Sequence, residues 1–516
     1  MKKALLFSAT LSVALVSFAQ RPKFVAFAWE FSGVSPQRLL KLADRFDETP
    51  LDGIGVWLQA ETVVDGVKTN LSYRRFMHDP AWTREAFAGQ IPYYRELTKH
   101  KSMRHSFVSS LSAPRLRIPW TDDAQWSRIA KSMRTVAWIA KEGGFKGLAI
   151  DPEDYHRISQ FTRHPGDPEY GELCKIVRAR ARQLFAPVFE EYPDATLHFF
   201  WFLSFVQYYS RYDRADVVRN SRADEELWPS FVNGILDVLP AGASINDGDE
   251  EGYRHSAADN GYRNGSYMFH NVYSKLVAPE NMGKYRRQVR YVPAVYMDMY
   301  TNNEGSSWYK GPTGNSRTET FRRDLIQASD VCGGYVWFWG EKRLWVPREN
   351  TWKAPNKIMK NETWNESLPG LFPAMEWVKD PLAFYDGKVA ELGKKGLLVN
   401  LASTDTLSVT NGYATISIRP VQGGDYYGVA FDMKGQSGKV NVFFKDADNK
   451  YVQPSINHVY PEDARGVVRV PEGGVRAVAV FSAKNREGEK TVFENIRIYK
   501  LCSDKMQCKS CEKGVR

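Results

Sequence analysis

Asp151-Pro152-Glu153 is the sharpest chemical feature of the sequence. Two residues apart on a strand, the carboxylates face one side, with Cα atoms about 6–7 Å apart. Carboxylates that close push their pKa values apart, so one keeps a proton as an acid while the other stays charged. Alternatively, one of them caps the next helix or pairs with Arg157. A second acidic run, Asp247-Gly248-Asp249-Glu250-Glu251, offers Glu250 as a reserve catalytic carboxylate and Asp247 as a binding one. It reads equally as a solvated loop, and it lacks the full spacing of a Ca2+ loop. Glu341, in Trp337-Phe338-Trp339-Gly340-Glu341-Lys342, is the fourth catalytic candidate, with a Glu341–Lys342 ion pair as the alternative.

Positioning these groups takes a repeating frame, and the sequence supplies one. Apolar strand-like runs alternate with amphipathic segments: strands near 23–30, 51–58, 104–111, 145–150, 196–205, 241–246, 291–299 and 334–339. Trp126, Ile129, Met133, Val136 and Ala140 fall at three- and four-residue steps and mark one helix face, stopped by Gly143-Gly144. Eight strand–helix steps predict an α/β fold, a (β/α)8 barrel over residues 20–385. An open doubly wound sheet is the runner-up, but no Gly-rich dinucleotide fingerprint follows the first strand. From about 393 to 501 short alternating strands predict an antiparallel β-sandwich, carbohydrate-binding-like, followed by a Cys- and Lys-rich tail at 502–516.

In a barrel the active site lies past the C-terminal ends of the strands. The residues expected there are Glu30, Trp57, the Asp151–Tyr155 stretch, Trp201, Asp247, Asp298, Trp337 and Trp339. Trp and Tyr have flat apolar faces that suit sugar rings, and paired carboxylates supply what glycosidic cleavage needs. The non-acidic members are equally core filler, and Asp298 could instead hold an arginine. His105 and His156 fall where a substrate hydroxyl could be held.

The run Gly147-Leu-Ala-Ile-Asp-Pro-Glu-Asp-Tyr155 resembles the fourth-strand motif of (β/α)8-barrel glycoside hydrolases. It is similar to the chitinase-type Asp-x-Glu motif, with Ala149 where that motif has an earlier Asp. That resemblance implies Glu153 as the acid and Asp151 as the group orienting a substrate N-acetyl. It is also similar to retaining α-glycosidase barrels, which implies Asp151 as nucleophile and an acid from Asp247, Asp249 or Glu250. The implied activity is hydrolysis of a glycosidic bond in a poly- or oligosaccharide. Two other classes stay open: a non-catalytic glycan-binding protein on a degenerate barrel, and a polysaccharide lyase or esterase. A lyase would need a Lys, Tyr or His base beside an arginine that neutralises a uronate.

Composition fits this reading. The 516 residues are 43% hydrophobic and 13% aromatic, with 15 Trp and 26 Tyr. Lys2 and Lys3, an apolar run from Ala4 to Phe18 and Ser17-Phe18-Ala19 read as a signal peptide over 1–19, hence export to the periplasm or beyond. The formal charge is +10, or +8 once the two signal lysines are removed, which permits attraction to anionic glycans. No nucleic-acid motif or basic block accompanies it. No later run is long and apolar enough for a membrane span. Gly-x-Ser-x-Gly, His-Glu-x-x-His and a P-loop are absent, so no cofactor or metal is expected. Cys174 and Cys332 read as buried thiols, and Cys502, Cys508 and Cys511 permit one disulfide. The expected partner is a carbohydrate, bound by a monomer or small oligomer.

Overall fold

The computed structural model describes residues 22–112, 114–206, 217–313, 316–349, 354–380, 399–418, 421–423, 425–435, 438–452, 457–459, 465–471 and 473–501. The expected signal peptide, the three tail cysteines and most of the expected barrel–sandwich boundary lie outside the described residues.

The first strand, β1 (Lys23–Ala28), is buried along nearly its whole length, as both faces of a parallel strand must be. After it come β2 (Gly53–Trp57) and a hairpin, β3 (Gln59–Val64) and β4 (Val67–Ser72). The run then continues through β5 (Phe107–Ser112), β6 (Gly147–Asp151), β7 (Thr196–Phe199) and β8 (Ser244–Asp247). The chain completes the sheet with β9 (Val289–Tyr291), β10 (Ala294–Tyr296) and β11 (Tyr335–Gly340). The parallel order is β10-β11-β1-β2-β5-β6-β7-β8-β9. Its two ends are the halves of one strand, interrupted at Val292-Pro293. β9 pairs with β8, and β10 pairs with β11, with Ala294 opposite Trp337. The sheet therefore closes on itself as an eight-stranded barrel. Proline lacks the N–H that a continuous ladder would need there.

The helices follow their sequence signals. Ser35 caps Pro36–Asp47, which buries Leu39, Leu42, Ala43 and Phe46 while Leu40 stays half-buried. Asp122 caps Asp123–Glu142, whose buried face includes Trp126, Ile129, Met133, Val136 and Ala140. Cys174 and Cys332 are half-buried free thiols rather than fully buried ones.

Residues 399–501 form two four-stranded antiparallel sheets, β12 (Val399–Val409), β19 (Thr491–Leu501), β14 (Tyr426–Lys434) and β17 (Arg465–Arg469) in one. The other holds β13 (Asn411–Ile418), β18 (Arg476–Lys484), β15 (Lys439–Lys445) and β16 (Asn457–Val459). Strict alternation along β18 sends Ala477, Ala479, Phe481 and Ala483 inward, where Phe444, Phe431 and Phe493 complete a separate core. Among the described residues no helix is long and apolar enough to cross a membrane.

Candidate active site

A cleft of about 850 Å3 opens at the C-terminal ends of the barrel strands. Its floor is a plug of rings. Phe27, His198, Phe200 and Trp337 pack at centroid distances of 4.6–6.0 Å. Burial holds His198 neutral, with its pKa lowered to about 3.

On this floor stand Asp151, Glu153 and Glu250. Each offers a carboxylate oxygen, and the three oxygens lie within 4.8 Å of one another. Asp151 ends β6 and accepts hydrogen bonds from the Glu153 amide at 3.0 Å and the Tyr155 hydroxyl at 3.0 Å. Glu250 arrives from the loop after β8, which is stitched down tightly. The Gly248 amide donates to Phe199 O, the Glu250 amide donates to Phe200 O, and Trp337 Nε1 donates to Gly248 O at 2.7 Å. A side chain at Gly248 would collide with the backbone oxygen of Phe199 at 2.5 Å, so only glycine permits this approach. Asp249 takes a left-handed conformation, φ +38°. Its carboxylate accepts from the Tyr291 hydroxyl at 2.7 Å and lies 3.2 Å from His255 Nε2. Those contacts hold the turn that aims Glu250 inward.

Burial and mutual repulsion set the protonation of the trio. Asp151 is pushed up to about 7, by burial first and the Glu153 charge second. Glu153 is raised by burial, tempered by Tyr155. Glu250 is raised furthest, by burial and then by the charges of Glu153 and Asp151, with Tyr253 and Trp201 offsetting part of the rise. Three coupled carboxyls titrate as a set, and burial with mutual repulsion favours a shared proton on it. A set this close could alternatively hold a hard cation, which needs six or so oxygens. The surrounding groups are mostly indole and phenol rings: Trp29, Trp201, Tyr155 and Tyr253. That lining suits shared protons better than a coordination sphere.

The expected site residues divide. Asp151, Glu153, Glu250, Glu341, Trp57, Tyr155, Trp201 and Trp339 all line the cleft. Glu341 accepts from Trp339 Nε1 at 3.2 Å and the Tyr296 hydroxyl at 3.0 Å rather than pairing with Lys342. Four others do not line it, which corrects the sequence reading. Glu30 is fully buried against Arg348 at 2.8 Å and the Trp345 amide. Asp247 is fully buried and holds the amides of Phe202 and Ser204 and the Ser204 hydroxyl. Asp298 is fully buried and accepts the Glu341 amide at 2.8 Å. Trp337 shares its strand face with Trp339 but sits one layer lower, about 6–7 Å down the strand, inside the plug. His156 lines the cleft, whereas His105, at the opposite end of the barrel, bonds to the Tyr335 hydroxyl.

Cleft residues outside the sequence reading include Tyr73, Arg74, Arg115, Arg254 and Trp308, while Trp29 and Tyr253 stand at the strand ends where the sequence places the site. Tyr73 and Arg74 follow the β3–β4 hairpin, whose Asp65-Gly66 turn has positive φ at both residues. Asp-Gly between alternating runs is a hairpin signal that could have found it.

No protein-family profile matches the chain, and no curated protein matches it by sequence. Among solved structures it is similar to a GH5_18 from Streptomyces cattleya in complex with GlcNAc, at 11% identity and TM-score 0.38, covering 70% of this chain and 81% of that one. It is similar to a glucosidase from Croceicoccus marinus, at 10% identity and TM-score 0.35, covering 91% and 96%. It is also similar to the E. coli 3-keto-D-glucoside 4-epimerase YcjR, at 11% identity and TM-score 0.31, covering 69% and 99%. The reading of the site rests on its own geometry.

Proposed function

We propose that the protein is a glycoside hydrolase that cleaves a poly- or oligosaccharide with retention of anomeric configuration. The carrying observation is the trio of half-buried carboxylates with oxygens within 4.8 Å of one another in an aromatic-lined cleft. Retaining enzymes hold their two carboxyls about 5–5.5 Å apart, while inverting ones need about 6.5–9.5 Å to admit a water.

Glu250, the most strongly raised, is the acid, which departs from the Glu153 assignment that the chitinase-type resemblance implies. Asp151, oriented by two donors, is the nucleophile. An Asp151 oxygen attacks the anomeric carbon as the glycosidic C–O bond breaks, and Glu250 gives its proton to the departing oxygen. A water then gives a proton to Glu250, its oxygen attacks the anomeric carbon, and the ester bond breaks to release Asp151 as the carboxylate. Glu153 keeps the Glu250 proton in place by its charge. The cleft aromatics stack on the sugar rings.

The test is digestion of a glycan panel, with the first released sugar read by proton NMR. Release with the substrate's own anomeric configuration supports the reading. Release of the opposite anomer overturns the double displacement, and no release from any glycan overturns the hydrolase.

A further inference from the structure

The carboxylate floor is only half of the cleft's electrostatics. Four cations also line it: Arg74, Arg115, Arg254 and Lys342. Arg74, Arg115 and Arg254 are exposed at the rim, and Lys342 is half-buried. None of these four lies in an ion pair with a described residue, although carboxylates share the cleft. Lys342 instead bonds to Asn302 Oδ1 at 2.5 Å.

Two of the cations stack on rings. The Arg74 guanidinium lies 4.6 Å from the centre of the Trp29 ring, and its Nε donates to the Tyr73 hydroxyl at 2.6 Å. The Arg254 guanidinium lies 4.0 Å from the centre of the Trp308 ring. Stacking fixes the plane of a guanidinium while leaving its N–H edges free for a planar or tetrahedral oxyanion. Beside Arg74, Trp29, Trp57 and Trp339 form a ring cluster with centroids 5.3–6.2 Å apart. Trp57 is 6% exposed, and its Nε1 has no hydrogen-bond partner. A buried indole N–H without an acceptor is destabilising, and an incoming acceptor removes that penalty.

We infer that the substrate is an anionic glycan, whose carboxylate or sulfate groups are received by Arg74 beside the Trp29–Trp57–Trp339 cluster and by Arg254 on Trp308. The inference rests on the glycan reading of the same cleft. Arg74 on Trp29 and Arg254 on Trp308 give an anionic sugar a charged hydrogen-bond partner beside a stacking ring, which a neutral sugar would not use. The chain's own positive charge draws such a polymer in.

The test is calorimetric binding by the full chain to matched oligosaccharides: a neutral parent, its uronate counterpart and its sulfated counterpart, each at low and high NaCl. The expected result is at least tenfold tighter binding of an anionic member, weakened by salt, with the preferred member distinguishing carboxylate from sulfate. The anionic-to-neutral ratio should fall at least fivefold in Arg74→Gln and in Arg254→Gln, at unchanged Tm. Equal binding of the neutral parent, a ratio unmoved in both variants, or no binding of any member would overturn the inference. Hydrolysis is followed in the same samples. A charge preference without cleavage would remove the hydrolase and leave the anionic subsites. Cleavage without charge preference would do the reverse.

Discussion

Two sets of buried and half-buried acids in this barrel meet opposite fates. On the helical shell, Glu319 is 5% exposed, and Arg322 and Arg323 reach it at 2.7 and 3.2 Å. Burial lifts its carboxyl, but the two guanidinium groups outweigh burial and hold it below the ordinary range. Asp237 behaves alike, lowered to about 2 by Arg178, Asn281 and Arg182 against the pull of burial. On the cleft floor, burial acts on Asp151, Glu153 and Glu250 with no cation paired to them among the described residues, and all three rise. Burial is common to both sets, and the countercharge is the difference. A scaffold acid is given a partner. An acid that must hold and release a proton near neutral pH is left without one.

The comparison can be broken at either end. The largest effect is catalytic: Glu250→Gln and Asp151→Asn should each lower glycan turnover by about 10²–10⁴-fold, measured by released sugar. Turnover retained in both would move the chemistry elsewhere in the cleft. Next, Arg322→Met combined with Arg323→Met leaves Glu319 buried without either guanidinium and should cost about 3–5 kcal/mol in denaturant unfolding, with KM unchanged. A loss no larger than that of a surface arginine would remove the contrast.

A smaller effect runs the other way. The folded pKa values of the trio lie above their unfolded ones, so between pH 4 and 8 the folded state binds more protons, and stability falls as pH rises. Glu250→Gln should therefore be more stable than the parent at pH 8, by about 1–2 kcal/mol, with the gain disappearing by pH 4. Equal stability at both pH values would show that the trio carries no uncompensated charge. The smallest expected effect is none: EDTA should leave turnover unchanged. Loss restored by a divalent cation would make the trio a metal site.

Much of this was legible in the sequence. Apolar runs gave eight strands because parallel strands are buried on both faces. Asp151 and Glu153 were readable because they follow a strand in the same short run, and Glu250 because its acidic loop follows β8. What sequence could not supply was depth. Trp337 and Trp339 are two residues apart on one face, yet one seals the plug and the other lines the cleft. Glu30 ends its strand as the candidate carboxylates do, but its partner Arg348 is 318 positions away. Arg74 and Arg254 carry no local signal, because their service depends on rings brought up by other loops.

The pH profile of kcat/KM on a cleaved glycan tests the central claim most directly. With Asp151 as the nucleophile, activity should climb as pH rises through about 7, where its carboxyl ionises, and fall at higher pH as Glu250 loses its proton. An acidic limb near pH 4, where an ordinary solvated carboxylate titrates, would contradict the account, since the chemistry would then belong to acids outside the trio.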